Sequence, residues 1–323
     1  MEKRTYLAID VGGSKLLTGL VREDGTILRS RKVMWNSLDE AQVLAQIFSE
    51  ADAMRDSCPG EISGIGLTVP GTADPAAGLW KSAAFMGIYD LPIRDLLTGR
   101  FDLDTYIEND TNACCLAEKM FGSGKYCRDF MYLTVSNGVG GALFLNDRLY
   151  YGANGCAGEF GMCVVRENGI PLEGKRPLRG SLEMYAAGRG LVRNYLEAGG
   201  QPEIHGKKAE GPEIARLARE KDPPALRAFE QEGYYLGKVI AAGCNILDPE
   251  KVIIGGGLSL VFDLYRDALD RTISQQQHRL EFYREKIVVE PSVLGYYGGL
   301  YGAAAAAILG QRSNREEKYG YRG

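Results

Sequence analysis

The chain has 323 residues, 45% hydrophobic and 25% charged, with a formal net charge of -4. These values are ordinary for a globular protein of two domains, and the absence of a basic block argues against nucleic acid or an anionic membrane surface as a partner. No apolar run is long enough to span a bilayer and the start, Met1-Glu-Lys-Arg-Thr5, has no signal h-region, so the protein is expected to be cytoplasmic.

Residues 6–10 read as a strand, Gly12-Gly13-Ser14 as a turn, and residues 15–21 as a second strand; Asp24-Gly25 turns the chain into a third, 26–33. This predicts a β-meander rather than a strand feeding a helix. Residues 38–54 carry apolar side chains on one helical face. Ile62–Val69 is the next strand, closed by Pro70-Gly71. Residues 72–100 read as loops with a short helix at 93–97, 106–108 as a strand and 112–121 as a helix. Asp110 falls between those last two elements. It reads either as a helix N-cap or as a strand-end carboxylate facing a cleft, able to accept a proton from a substrate hydroxyl.

A second cycle follows. Residues 129–135 form a strand ending at Ser136-Asn137-Gly138, Val139–Leu145 another, and Asn146-Asp147 a tight turn. The recurrence of strand, Gly turn and strand predicts a duplicated domain, the alternative being coincidence of common hairpins. Residues 152–180 are a long Gly, Pro and Arg-rich irregular stretch. Residues 182–195 read as a helix, 199–206 as a loop, and Gly211-Pro212 as the start of another helix. A long helix spans 224–246. The strand 251–254 ends in Gly255-Gly256-Gly257. A helix at 260–277, an edge-like strand at 286–289 and an Ala-rich helix at 300–309 follow, and Arg312 onward is expected to fray. The alanines 303–307 fit either high helix propensity or a thin helix that lets two domains approach closely.

Three Gly-rich turns thus follow apolar strands, at Gly12-Gly13, Gly138–Gly141 and Gly255–Gly257. None matches a P-loop or a Rossmann fingerprint. Glycine turns let backbone N–H groups close on phosphate oxygens, and three of them suggest a nucleotide held between two lobes. Asp10, at the end of the first strand, reads as a turn carboxylate or as a hard oxygen ligand for Mg²⁺. The seven cysteines, Cys58, Cys114, Cys115, Cys127, Cys156, Cys163 and Cys244, form no C-x-x-C pair and read as reduced, buried thiols. The two histidines, His205 and His278, lie in polar stretches and leave little for a His-based metal site or triad.

Seven segments, taken in order, resemble the ROK family (repressors, open reading frames, kinases) of bacterial sugar kinases, over nearly the whole chain from Tyr6 to about Leu309. They are Asp10-Val-Gly-Gly-Ser-Lys15, Gly66-Leu-Thr-Val-Pro-Gly71, Glu108-Asn-Asp-Thr-Asn112, Thr134-Val-Ser-Asn-Gly-Val-Gly-Gly141, Gly155-Cys-Ala-Gly-Glu-Phe-Gly161, Gly180-Ser-Leu-Glu183 and Ile254-Gly-Gly-Gly-Leu-Ser259. The resemblance implies an α/β, two-domain actin-like (Hsp70-like, ribonuclease H-like) ATPase fold with an interdomain cleft. It implies a small domain at 1–117 joined by the helix 299–311, a larger domain at 118–298 and a polar tail at 312–323. It further implies an ATP-dependent kinase that phosphorylates a hexose such as glucose, at the 6-hydroxyl, with a kinase for an N-acylated amino sugar or a non-catalytic sugar sensor as alternatives. Asp110 would be the base, with Asn109, Glu159 and Glu183 holding sugar hydroxyls. Asp10, Gly12, Gly13, Ser14, Lys15, Asn137, Gly138 and Gly140 would form the phosphate hairpins, Gly256 and Gly257 would lie near the adenosine, and Asp10 would hold Mg²⁺ through water. A homodimer is also implied.

The departures from the family are equally specific. Where its zinc site has a histidine and three cysteines, this chain has Met162, Gly174, Arg176 and Ser181, so no zinc is expected. Where the family has an Asn-Leu pair after the Pro70-Gly71 strand end, this chain has Ala84-Phe85-Met86-Gly87. Phe85 offers a ring face and no acceptor, which shifts the expected pocket toward a less polar or modified sugar. The ATPase core is expected to begin at Tyr6, leaving no room ahead of it for the DNA-binding domain of the family's repressors.

Overall fold

The computed structural model describes residues 3–172, 178–204, 206–278 and 287–319. The chain forms two compact units, Met1–Tyr126 with Tyr296–Gly323, and Cys127–Gly295. The first opens with β1 (Thr5–Val11), β2 (Lys15–Arg22) and β3 (Ile27–Met34), then α1 (Glu40–Asp56) and β4 (Ile62–Val69). It continues through β5 (Thr72–Asp74), β6 (Leu79–Ala83), β7 (Ile88–Leu91), α2 (Ile93–Phe101), β8 (Thr105–Asn109) and α3 (Asp110–Phe121). The second holds β9 (Phe130–Val135), β10 (Val139–Leu145), β11 (Arg148–Tyr150), α4 (Gly188–Glu197), a small hairpin of β12 (Glu203–Ile204) and β13 (Lys207–Lys208), and α5 (Gly211–Arg219). It ends with α6 (Pro223–Leu247), β14 (Lys251–Gly255), α7 (Arg266–Gln276) and β15 (Val288–Pro291), after which the chain re-enters the first unit as α8 (Gly298–Tyr319).

Each unit is built on a five-stranded sheet, ordered β3-β2-β1-β4-β8 in the first and β11-β10-β9-β14-β15 in the second. In both, three antiparallel strands form a meander and two further strands add in parallel. The sheets are therefore repeats of one topology, as the paired strand–Gly turn–strand segments predict.

Strand parity decides which face each side chain joins. Leu7, Ile9 and Val11 pack with Val43, Ile47 and Ala51 of α1. Tyr6 and Ala8, on the opposite face, pack with Ala303, Ala304 and Ala307 of α8. With both faces covered, β1 needs a near-continuous apolar run, and its one interruption is Asp10. The alanines let α8 lie close on its own unit's sheet: a Cβ on Gly66 of β4 would collide with the carbonyl of Ala303.

Several elements differ from their sequence-based expectations. Residues 72–91 form an antiparallel three-stranded sheet, β5-β6-β7, rather than loops. It is pinned by the fully buried Trp80, whose Nε1–H donates to the Pro70 carbonyl at 2.9 Å. The expected helix 182–195 breaks into a 3-10 turn, Leu182–Met184, and α4, because the Gly188 N–H leaves to donate to Ser136 O at 2.7 Å. The expected helix at 260–277 is a 3-10 segment, Gly257–Leu264, followed by α7. The tail does not fray at Arg312: α8 runs on to Tyr319, held at Gln311, which is buried and accepts from the Tyr6 hydroxyl at 3.1 Å. Two cysteines, Cys156 and Cys163, are exposed rather than buried. His205 and Lys286 lie outside the described residues.

Candidate active site

In the first unit the site is organised around Asp10. Its even position in β1 places it on the face that α8 covers, where that helix begins. Gly299 lies against the Asp10 carboxyl group, and a Cβ there would collide with it. The N-terminal end of a 22-residue helix beside a carboxylate is electrostatically favourable. Thr68 of β4 donates its hydroxyl to Asp10 Oδ1 at 2.8 Å. Burial nevertheless pushes the Asp10 carboxyl above the usual carboxylate range, against the lowering effects of Thr68 and of the Lys15 charge. An anion so short of compensation is a fitting ligand for a hydrated divalent cation.

The β1–β2 hairpin projects beyond Asp10. The Gly12 N–H donates to the Lys15 carbonyl at 2.9 Å, and the Trp35 indole donates to the Gly12 carbonyl at 2.8 Å. Gly13 and Ser14 are exposed at the tip. The Lys15 ammonium lies 4.0 Å from the centroid of the Tyr296 ring, a cation–π contact that fixes its direction.

The end of β8 supplies the second carboxylate. Here Asn109 is the helix cap: its side-chain oxygen accepts from the N–H groups of Thr111 at 3.0 Å and Asn112 at 3.2 Å. Its amide nitrogen donates to the Gly71 carbonyl at 2.9 Å, and a side-chain hydrogen bond from Asn109 also lowers the affinity of the Asp110 carboxyl for its proton. Asp110 is the first residue of α3 and is not needed as its cap. Its Oδ1 accepts from the Thr111 N–H at 2.7 Å. Burial, opposed by that hydrogen bond and reinforced by the charge of Asp10, pushes the Asp110 carboxyl up to about 6. Glu108, buried beneath, holds the turn by accepting from Asn109 N at 2.9 Å and Asn112 Nδ2 at 3.2 Å.

In the second unit Glu183 lies against the β9–β10 turn. Its Oε2 accepts from the Val139 N–H at 3.2 Å, and a side chain at Gly138 would strike the carboxylate. Glu159 is exposed at the start of the 3-10 turn Phe160–Met162, which packs beside the 3-10 turn carrying Glu183. A cavity of about 760 Å³ opens next to the same β-turn, lined by Ser136, Asn137, Gly188, Pro212, Gly257 and Leu258 among others. It is mainly apolar with a few polar groups, in the size range of small-molecule sites and fit for a nucleoside. Gly256 precedes the lining residue Gly257 without lining the cavity itself: its φ is +80°, and a Cβ would collide with Val135. Gly140 pairs with Thr134 within the sheet and does not line the cavity.

Of the positions that replace the zinc ligands, Met162 closes a 3-10 turn and Ser181 is buried, while Gly174 and Arg176 lie outside the described residues. Among the described residues no group of three or more His, Cys, Asp or Glu is placed to hold a metal ion, and no helix is long and apolar enough to cross a membrane. Three contributors were not singled out from the sequence: Thr68, Gly299 and Trp35. Thr68 stands inside a segment already noted, and Gly298-Gly299 before the alanine run was a readable signal of close backbone approach. Nothing in the sequence marks Trp35.

Comparison with known proteins gives a consistent result. The model of the ROK family matches residues 6–309. A glucokinase of Thermotoga maritima is 31% identical, with 99% of this chain and 100% of that protein covered. A glucokinase of Halalkalibacterium halodurans is 30% identical, over 81% of this chain and 83% of that one. Among solved structures, a ROK family glucokinase from Streptomyces griseus in complex with glucose and AMPPNP superposes with a TM-score of 0.82 at 28% identity, covering 94% of this chain and 99% of that one.

Proposed function

This chain belongs to the ROK family, and from that premise we propose that it is an ATP-dependent sugar kinase, transferring the γ-phosphoryl group to the 6-hydroxyl of a hexose such as glucose. The observation that carries the reading is Asp110, a carboxylate released from helix capping by Asn109 and raised to about 6. A base with that affinity accepts the hydroxyl proton as the oxygen attacks phosphorus, yet is ionised at neutral pH. Asn109 contacts a sugar hydroxyl, and Glu159 and Glu183 accept from sugar hydroxyls.

The Gly12–Lys15 hairpin and the Gly138 turn orient the phosphates, and the cavity beside Asn137 and Gly257 takes the adenosine. Asp10 would hold Mg²⁺. When bound there, it would supply neutralisation of phosphate charge. The rest is positioning: Thr68 orients Asp10, Tyr296 orients Lys15, and Glu108 keeps Asn109 and Asp110 in place. The repeated sheet order supports an actin-like ATPase architecture, and the family resemblance supports a homodimer.

A second acceptor class, N-acylated or otherwise modified hexoses, is favoured by Phe85, which is exposed and offers no hydrogen-bonding group. A sugar sensor without turnover has no chemical use for the Asp10 and Asp110 pair. The test is coupled ADP release with a panel of hexoses and hexosamines, followed by identification of the phosphorylated position. A sugar 6-phosphate in stoichiometry with ADP is expected. ATP consumption with no panel member would refute the kinase reading.

A further inference from the structure

Phe85 stands in an unusual place for a large apolar side chain. It is 52% exposed, on a 3-10 turn, Ala84–Met86, whose neighbours Ala83 and Met86 are buried and fix the turn in the core. The ring is therefore held out by its flanks. Its outer edge lies on the β1–β2 hairpin: Cε2 and Cζ are 3.7 and 3.8 Å from where a Cβ on Gly13 would sit. On the hairpin's other side chain contact, the Trp35 indole occupies the Gly12 carbonyl at 2.8 Å. The turn Gly12-Gly13-Ser14 thus has an aromatic group at each of its two glycines.

The turn that carries Phe85 also continues the strand that meets the acceptor side. Ser82 of β6 abuts Gly71, and Gly71 accepts from the Asn109 amide at 2.9 Å. Phe85 is joined by short steps to the residue assigned to the sugar and lies beside the loop assigned to the phosphates. A phenyl ring can neither donate nor accept a hydrogen bond, so it reads no hydroxyl. What it can do at that place is keep water away.

We propose that Phe85 is a positioning residue that shields the phosphate hairpin from water and so directs the phosphoryl group to the sugar. The inference rests on the kinase reading above. In the productive reaction the sugar oxygen bonds to the γ-phosphorus, the bond from that phosphorus to the β,γ-bridging oxygen breaks, ADP leaves, and the hydroxyl proton passes to Asp110. In the competing reaction a water oxygen takes the sugar's place, and the products are ADP and inorganic phosphate. The two nucleophiles differ little in intrinsic reactivity, so exclusion of water decides the partition.

The test compares wild type, Phe85→Ala and Phe85→Leu with Mg-ATP and the sugar that the wild-type protein phosphorylates, measuring inorganic phosphate and sugar phosphate in the same samples. Phe85→Ala is expected to raise the ratio of inorganic phosphate to sugar phosphate by about tenfold, equivalent to roughly 1.4 kcal/mol between the two barriers. Phe85→Leu, which keeps an apolar side chain, is expected to stay within about twofold of wild type, a barrier difference below roughly 0.5 kcal/mol. Thermal midpoints should be alike, which separates shielding from a folding defect. An unchanged ratio in Phe85→Ala overturns the inference alone, and an unchanged ratio with a raised sugar KM assigns the ring to sugar stacking instead. Failure of the wild-type protein to phosphorylate any sugar overturns the kinase reading and this inference with it.

Discussion

Asp110 illustrates how one side chain is freed for chemistry by its neighbour. The turn Glu108-Asn-Asp-Thr-Asn112 contains several good caps, and Asn109 takes that role, so Asp110→Asn should not unravel α3. Folding raises the Asp110 carboxyl from its ordinary 3.8 to about 6. Its favourable contribution to stability is therefore full below the unfolded value and is lost as pH rises through about 6. Asp110→Asn should accordingly be more stable than wild type at pH 7.5, by about 1 kcal/mol after solvent screening, read as a higher thermal midpoint. A lower midpoint would remove the desolvation argument. In the wild type, kcat/KM should rise with an apparent pKa near 6, the acid limb belonging to the base that must be ionised. Gly299 gives a second residue-level test. Gly299→Ala would push a methyl group into the Asp10 carboxyl group and should weaken Mg-ATP use more than sugar binding, with about 1–3 kcal/mol of destabilisation. Wild-type ATP parameters in that variant would mean that α8 is not seated against Asp10. Asp10 and Asp110 were legible because each is a carboxylate at the end of an apolar strand. Thr68 and Trp35 were not, because an isolated hydroxyl or indole carries no periodicity to announce its partner.

The elements were legible where side-chain periodicity was strong. β1, β4, β10 and α6 are long, regular and buried, and their limits agree with the sequence to within about two residues, the usual spread of element ends. The small sheet β5-β6-β7 was missed because its strands are short and their polarity follows no alternation; it exists because Trp80 needs a buried place and a carbonyl partner. The breaks after Met184 and Leu264 arise from tertiary hydrogen bonding and backbone geometry that no local propensity encodes. The carboxylates proposed to hold the sugar stand at the 3-10 turns Phe160–Met162 and Leu182–Met184 of the second unit. Glu159→Ala should weaken sugar use by about one to two orders of magnitude with nucleotide affinity kept, as loss of a charge-assisted hydrogen bond implies. Glu183→Ala should show a nucleotide effect as well, because Glu183 also holds the Val139 N–H of the phosphate turn. Equal effects of the two substitutions on both ligands would contradict this division. The stretch 152–180 is expected to need no metal: elemental analysis should find no stoichiometric zinc, and chelation followed by restored Mg²⁺ should leave activity unchanged. One zinc per chain would overturn that expectation.

At the scale of the whole molecule, each of the two units is built on a sheet of the same order, and each ends its first strand at a Gly-rich turn. The repeat was visible in the sequence because a hairpin is a local structure; the parallel additions of β4, β8, β14 and β15 were not, because they depend on contacts distant along the chain. The alanines of α8 were readable as a close-approach surface but not as one directed at β4 and β1, a choice that the glycine at Gly66 settles. The molecule is expected to sediment as a homodimer, and a monomer mass at working concentration would remove that proposal without touching the chemistry. The claim on which the account turns is that a single carboxylate, Asp110, takes the proton during phosphoryl transfer to a sugar. The most direct measurement follows sugar phosphate by ³¹P NMR with wild type and Asp110→Asn at matched Mg-ATP and sugar. Asp110→Asn should retain sugar binding and lose about 10²–10⁴ in turnover. Turnover within a few-fold of wild type would contradict the assignment of Asp110 as the base.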